Sequence, residues 1–499
     1  MLRPLLFIGY WQRVTLALWT IACVCFYFCD TEIISLDPWS EFQRIGLGLM
    51  SPDFFATEYL FEALWQTVSF ALLGIIVGLF CGAPLALIYA HPFIAVLCAM
   101  IRSIHEIFWA MLFLQVFGLS PITGILAIAL PYGATFARVF HDILLQSPTV
   151  TRQILPANTD KISEYCYARI SHALTPILAY VRYRFECALR SSAVLGFIGM
   201  PTLGFYLETA FRQGNYHEGS ALLMLFIALI GTISFWCRPR LIVIYLILSL
   251  LTLPSIPSID GMLLWRFISQ DILPPALPNL ESFTPLHFVG VIKWGQNILF
   301  EQAFPGVIIT LLLALTALAM SHFVALFLTC KLLMTGVFSH LMQLFLLILR
   351  SIPEYIFAFI FMMLLGPSML PAMLALALHN GALIAFLCLK QSDTLTTSSV
   401  YNGRVDGYCY DILPQIYPNL MGLLFYRFEV ILRETAIFGM LGVATLGFYI
   451  DSCFVEIRYS SALLLMGVTG LLNITIDIMS RYLLANNIQG KLLCKGIVS

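Results

Sequence analysis

The chain has 499 residues, of which 60% are hydrophobic and 11% charged, with a formal net charge of -1 and a mean hydropathy of +0.91. So few polar side chains cannot cover the surface of a water-soluble domain of this size, so the composition excludes a soluble globular protein and predicts a multi-pass membrane protein. The charge sum gives no argument for nucleic acid, and thirteen cysteines without a CxxC pair and nine dispersed histidines offer neither a disulfide framework nor metal-ligand spacing.

In chain order, apolar stretches long enough to cross a bilayer as a helix run over about 13–29, 62–90, 94–117, 121–145, 187–211 and 218–236. A second set covers about 241–257, 301–329, 337–365, 369–389, 430–451 and 459–481. Strand-like alternation is absent, and lipid requires each segment to satisfy its own backbone polar groups. The expected fold is therefore all-α, with about twelve transmembrane helices in two six-helix halves, residues 1–240 and 241–499. The first stretch follows Arg3 and Arg13, yet CDTEIISLDPW comes after it in place of a small-residue cleavage pattern, so it reads as a retained anchor.

Lys and Arg gather on one set of connections, among them Arg152, Lys161, Arg169, Arg238, Lys331, Lys390 and Arg404. The opposite set keeps Arg44, Arg212, Arg266, Lys293 and Arg458. The positive-inside rule then predicts that both termini are cytoplasmic. On the other face, the Pro-containing segments 30–60 and 258–298 read either as caps that meet an extracytoplasmic partner or as interfacial linkers carrying Trp39, Trp265 and Trp294.

The sequence repeats itself. YRFECALRSSAVLGFIGMPTLGFY over Tyr183–Tyr206 returns as YRFEVILRETAIFGMLGVATLGFY over Tyr426–Tyr449, and Tyr165-Cys166-Tyr167 returns as Tyr408-Cys409-Tyr410. Arg102-Ser103-Ile104-His105-Glu106 is echoed by Arg350-Ser351-Ile352-Pro353-Glu354. Such a duplication in a membrane protein predicts two pseudo-equivalent halves around one path.

Arg102 and Arg350 lie between an apolar run and the next span, where charge is costly unless paired or hydrated. Glu106 and Glu354 stand four residues on, the spacing of an i,i+4 ion pair. Two readings stay open: a pair that fixes packing, or an arginine from each half along an anion path. Gly196, Gly199 and Gly204, with Gly439, Gly442 and Gly447, either permit close helix approach or mark a broken gate helix. Arg184, Glu186, Arg427 and Glu429 fall where a span begins, as anchors or as contacts for a cytoplasmic partner. The connection 390–429 is the most polar of the second half; Gly403, Gly407 and Leu413-Pro414 bracket a short amphipathic piece that reads as a rigid knob between helix breaks.

In their order, repeated twice, these elements resemble the inner-membrane permease subunit of phosphonate-type ABC importers, as two permease units fused in tandem. The matching residues are Leu413-Pro414-Gln415, Tyr426-Arg427-Phe428-Glu429, Arg433, Gly439, Gly442 and Gly447, with Tyr183-Arg184-Phe185-Glu186, Arg190, Gly196, Gly199 and Gly204 in the first copy. The resemblance implies a transport subunit of the bacterial inner membrane, without cofactor, that works with cytoplasmic ABC ATPase subunits and an extracytoplasmic substrate-binding protein. It also implies that the knobs, with Tyr165, Tyr167 and Tyr408 as docking aromatics, seat on the ATPases. The first copy departs from the pattern: Ile170-Ser171 replaces Leu413-Pro414 and Ser234 replaces Asp477, so the two knobs are expected to differ. No GxxxxGK[ST] loop is present, so ATP hydrolysis is expected on another chain. The alternative is a duplicated transporter driven by an ion gradient, which would place acids at mid-membrane.

Overall fold

The structure, a computed structural model, describes residues 9–34, 37–146, 160, 163, 169–254, 261–275, 277, 285–334, 336–391 and 404–496. Regular structure among them is helical throughout. The first repeat contributes α1 (Tyr10–Phe28), α2 (Pro38–Met50), α3 (Leu60–Ile88), α4 (Pro92–Ser103), α5 (Glu106–Phe117), α6 (Pro121–Gln146), α7 (Ser171–Val194), α8 (Leu203–Arg212) and α9 (Tyr216–Gly231). The second contributes α10 (Pro239–Thr252), α11 (Pro285–Ile298), α12 (Phe304–Thr329), α13 (Val337–Ser351), α14 (Glu354–Leu365), α15 (Met369–Gln391), α16 (Leu413–Met440), α17 (Leu446–Val455) and α18 (Tyr459–Gly496).

The described parts of the twelve apolar stretches are mostly helical, but the helices differ in form. Among the described residues, six helices are long and apolar enough to span alone, and three helix pairs that pass the same test together are bent. The stretches 94–117 and 337–365, expected as single helices, turn by 92° between α4 and α5 and by 93° between α13 and α14. The cause is local. Ile104 and Ile352 leave the helix with ψ of 135° and 121°. Pro353 disfavours helical backbone at Ile352, while the His105 ring accepts the Ile107 N–H at 3.2 Å and caps α5. The remaining stretches form shorter apolar helices, α9, α10 and α17.

The third bend, 53° between α7 with its 3-10 extension and α8, is built by glycine. Gly199 has φ of +87°, and its counterpart Gly442 has φ of +98°, a left-handed conformation that side chains disfavour. The chain then doubles back so closely that a Cβ at Gly204 would fall on the Ala193 carbonyl oxygen, and one at Gly447 on that of Ala436. Close approach and a broken helix, the two readings of this motif, are thus one feature.

The described chain divides into two compact units, Ser51–Ile272 and Met1–Met50 with Leu273–Ser499. Within the first, α3 packs along α6. Gly74, Gly78 and Gly82 face Ile128, Ala129 and Gly133, and a Cβ on Gly78 would stand 3.0 Å from the Ala129 carbonyl; small residues four apart let helix backbones meet in this way. The helix that opens the second repeat, α10, lies against α3, where the Trp65 indole donates to the Thr252 hydroxyl at 2.7 Å.

Within the other unit α12 packs on α15, and α1 lies against α12. The Trp19 indole donates to His322 Nδ1 at 3.3 Å, so Nε2 carries the proton that points to the Tyr417 hydroxyl 3.2 Å away. Beyond α1, Ile34 N–H donates to Leu365 O at 2.9 Å, and Met369 N–H donates to Asp30 O at 3.1 Å. Each unit therefore contains the opening helix of the other sequence repeat, and its boundaries differ from the 1–240 and 241–499 division of the repeats.

Gly204→Ala and Gly447→Ala are expected to destabilise the detergent-solubilised protein by about 1–3 kcal/mol or more through backbone overlap. Gly231→Ala, where nothing lies within 4 Å of the added carbon, should leave the melting temperature within about one degree; thermal melts of the three variants check this.

Candidate functional site

The right-angle bends put an ionisable residue on each side of an extended turn. Arg102 ends α4 and Glu106 starts α5; Arg350 ends α13 and Glu354 starts α14. Each arginine and glutamate therefore belong to different helices, on the two sides of the turn. At the start of a helix a carboxylate also meets the positive end of the helix dipole.

In the first repeat a relay of hydroxyls reaches the carboxylate. The Ser191 hydroxyl on α7 donates to Glu106 Oε1 at 2.5 Å. With that proton committed, Tyr132 on α6 donates to Ser191 Oγ at 3.1 Å. His105 Nδ1 stands 3.9 Å from the other carboxylate oxygen. The Arg184 guanidinium lies nearby, 5.8 Å from the Tyr132 ring and 5.2 Å from Tyr180, whose hydroxyl accepts from Nε at 2.7 Å.

The second repeat builds the same place from different chemistry. Glu434 stands where Ser191 does in the repeated segment, adding a second buried carboxylate beside Glu354. An amide donor accompanies it. Asn380, at the Tyr132 position, donates from Nδ2 to Glu434 Oε2 at 2.8 Å. His379 Nε2 lies 3.6 Å from Glu354 Oε2, and His379 Nδ1 is 2.8 Å from the Ile352 carbonyl, which can only accept. Nδ1 therefore carries a proton, and Nε2 is the atom presented to the carboxylate. Glu354, His379 and Glu434 each offer an atom within 4.8 Å of the others, a set that could hold a proton or a metal ion. Its members come from three helices, so no spacing motif announces it; the Ser-to-Glu exchange between the copies was the available signal.

The other expected site residues are placed as follows. Gly196, Gly199, Gly204, Gly439, Gly442 and Gly447 all sit at the turns into α8 and α17. Arg184, Glu186, Arg427 and Glu429 lie inside helices, since α7 begins at Ser171 and α16 at Leu413. Glu186 is 3.9 Å from Arg190. Tyr165, Tyr167 and Gly403 lie outside the described residues.

The second knob differs from the expected form. A helical turn over Arg404–Gly407 leads into a π-helical turn over Tyr408–Ile412 and directly on into α16, whose first turn contains Pro414. Leu413-Pro414 therefore stands where the π-helical turn passes into α16 and does not end the helix. Gly407 has ordinary helical φ and ψ. Tyr408 is buried, its hydroxyl 2.8 Å from Thr329 Oγ1 on α12, and burial pushes its phenol up to about 12. It anchors the knob. The aromatic that the knob presents is Tyr410, 68% exposed, the counterpart of Tyr167.

Two doubled features, the arginine–glutamate bends and the glycine turns, therefore recur with their surroundings altered. No protein-family profile matches the chain, and no solved structure matches it. Among curated proteins, the phosphate-import permease protein PhnE of Mycolicibacterium smegmatis is 24% identical over 418 residues, covering 77% of each chain. The phosphite transport system permease protein PtxC of Stutzerimonas stutzeri is 22% identical over 241 residues, covering 88% of its own length but 46% of this chain. The chain is thus similar to proteins named as phosphate- and phosphite-import permeases. Just under half of this chain accounts for most of PtxC, in keeping with two such units in tandem.

Asn380→Leu should leave Glu434 without its amide donor and lower stability by about 1–3 kcal/mol. Ser191→Ala, which removes one neutral hydroxyl from Glu106, should cost less; chemical or thermal unfolding of the two purified permease variants ranks them.

Proposed function

We propose that this permease is the membrane subunit of an ATP-driven importer for an oxyanion of phosphorus. Similarity across 77% of the chain to a phosphate-import permease carries the reading. Repeats 1–240 and 241–499 serve as its two permease units, both termini lie in the cytoplasm, and the membrane is the bacterial inner membrane. Cytoplasmic ABC ATPase subunits bind the knobs, and an extracytoplasmic binding protein delivers the solute. Arg102 and Arg350, one from each repeat, attract the anion, since guanidinium matches phosphorus oxyanions in charge and geometry. Glu106 and Glu354 hold the bends in place, and the glycine turns at Gly199 and Gly442 act as gate hinges. ATP-driven movement of the knobs then biases a two-state helix bundle.

The described knob supports a division of labour. Tyr408 and Thr329 fix its base to α12, so that force applied to the knob reaches a transmembrane helix directly. Tyr410, Val405 and Pro414 form its exposed surface, and an exposed tyrosine on a rigid helical turn is a good interface anchor.

One observation favours a second reading. Glu354, His379 and Glu434 are buried together, the type of residue that couples transport to an ion gradient. Proteoliposomes containing the permease, its cognate ATPase and its binding protein separate the two. ATP should be required for uptake of labelled phosphate, phosphite or phosphonate. Uptake by the permease alone under a proton gradient with ATP absent would overturn the importer reading.

Tyr410→Ala is expected to weaken ATPase co-purification about tenfold, or about 1.4 kcal/mol. Tyr408→Phe should instead lower the melting temperature of the permease while leaving the exposed contact surface intact.

A further inference from the structure

A cavity of about 850 Å³ opens beside α13 and α15, and its lining combines two chemistries. Lys331, Arg350 and Lys390 bring positive charge from three elements, with His340 and Gln343 beside them, and among the described residues that line it there is no carboxylate. The remaining wall is apolar: Leu344, Leu346, Leu347, Phe386 and Leu389. His340, Gln343, Leu344, Leu347 and Arg350 recur at three- and four-residue spacing, so a single face of α13 forms one side. Arg350 is held with its guanidinium 4.0 Å from the centre of the Phe386 ring.

We propose that this cavity binds an anionic phospholipid, with the phosphate on Lys331 and Lys390 and an acyl chain along Leu344, Leu347, Phe386 and Leu389. Charge and volume decide between this and a free oxyanion. An inorganic phosphate would use the cations but leave most of the apolar space empty, whereas a diacyl lipid uses both. Basic pockets between transmembrane helices hold anionic headgroups for this reason. The neighbouring surface of α13 is also dressed for lipid: Val337 is 70% exposed, Phe338 73% and Leu341 55%. The feature belongs to the second repeat. At the positions of Phe386 and Lys390 the first repeat has Arg138 and Asp142, which approach to 4.0 Å as an ion pair and cancel the local charge.

The test uses the full-length protein in mild detergent, with thermal unfolding and native mass spectrometry as readouts. Phosphatidylglycerol should raise the melting temperature and remain bound in the spectrometer, while phosphatidylcholine and inorganic phosphate should do neither. K331Q/K390Q should reduce retained phosphatidylglycerol about tenfold and abolish the shift, and K331R/K390R should restore both. Should the double glutamine variant not fold, Leu344→Trp, which fills the apolar wall with the cations intact, should displace the lipid equally. A shift that inorganic phosphate reproduces and K331Q/K390Q removes would make this an oxyanion site and overturn the proposal. So would equal retention of phosphatidylcholine, or phosphatidylglycerol binding unchanged in the glutamine and tryptophan variants.

Discussion

A carboxylate inside an apolar helix bundle must be given hydrogen bonds, and the arrangement of this protein's interior follows from how Glu106 and Glu354 receive theirs. Each is the first residue of a helix that starts after a right-angle turn. That position gives it the helix dipole and places its oxygens within reach of two further helices, α6 and α7 in one repeat, α15 and α16 in the other. The bend makes each carboxylate a junction between helices, so its geometry is coupled to the packing around it.

The junctions also show how a duplication diverges under a physical constraint. Replacing Ser191 by glutamate at position 434 adds a charge that a buried site cannot tolerate unaided. The surrounding positions change with it: asparagine at the Tyr132 position donates to Glu434, and a histidine stands at that of Pro131. The first repeat keeps a neutral hydroxyl relay, the second an acid-rich network. A similar contrast separates the α3–α6 contact, where Gly78 and Gly133 let backbones touch, from the α12–α15 contact, where Gly381 receives Val324. Expected asymmetry in the knobs is thus accompanied by asymmetry in the membrane interior.

Much of the fold was legible because bilayer thickness and backbone hydrogen bonding leave few options to an apolar chain. The helical class, the twelve apolar segments and the glycine turn after YRFE all follow from that constraint and from the repeat. Bends were harder to read. Pro353 marks one of them, but His105 caps the other without any proline, and a hydrophobic stretch of normal length conceals both. Residue roles within the knob were harder still, since Tyr408 and Tyr410 are two residues apart and identical in chemistry, and only packing against Thr329 distinguishes the anchor from the exposed ring. The Glu354–His379–Glu434 group escaped for a different reason, as its members are distant in sequence and meet only after three helices pack.

The exchange of opening helices gives the tandem fusion a physical rationale. α1 opens the first repeat yet packs on α12 through Trp19 and His322, while α10 opens the second yet packs on α3 beside Trp65. In a permease made of separate chains, these contacts would have to form between molecules. Within one polypeptide the same contacts form at the high effective concentration set by a connecting segment, and they form in the same pairing every time. Covalent linkage also fixes which repeat occupies which position. That fixed pairing is what allows the two copies to diverge, because a Glu434 network or a cationic cavity on α13 can be kept to one side only when every assembled permease contains one copy of each.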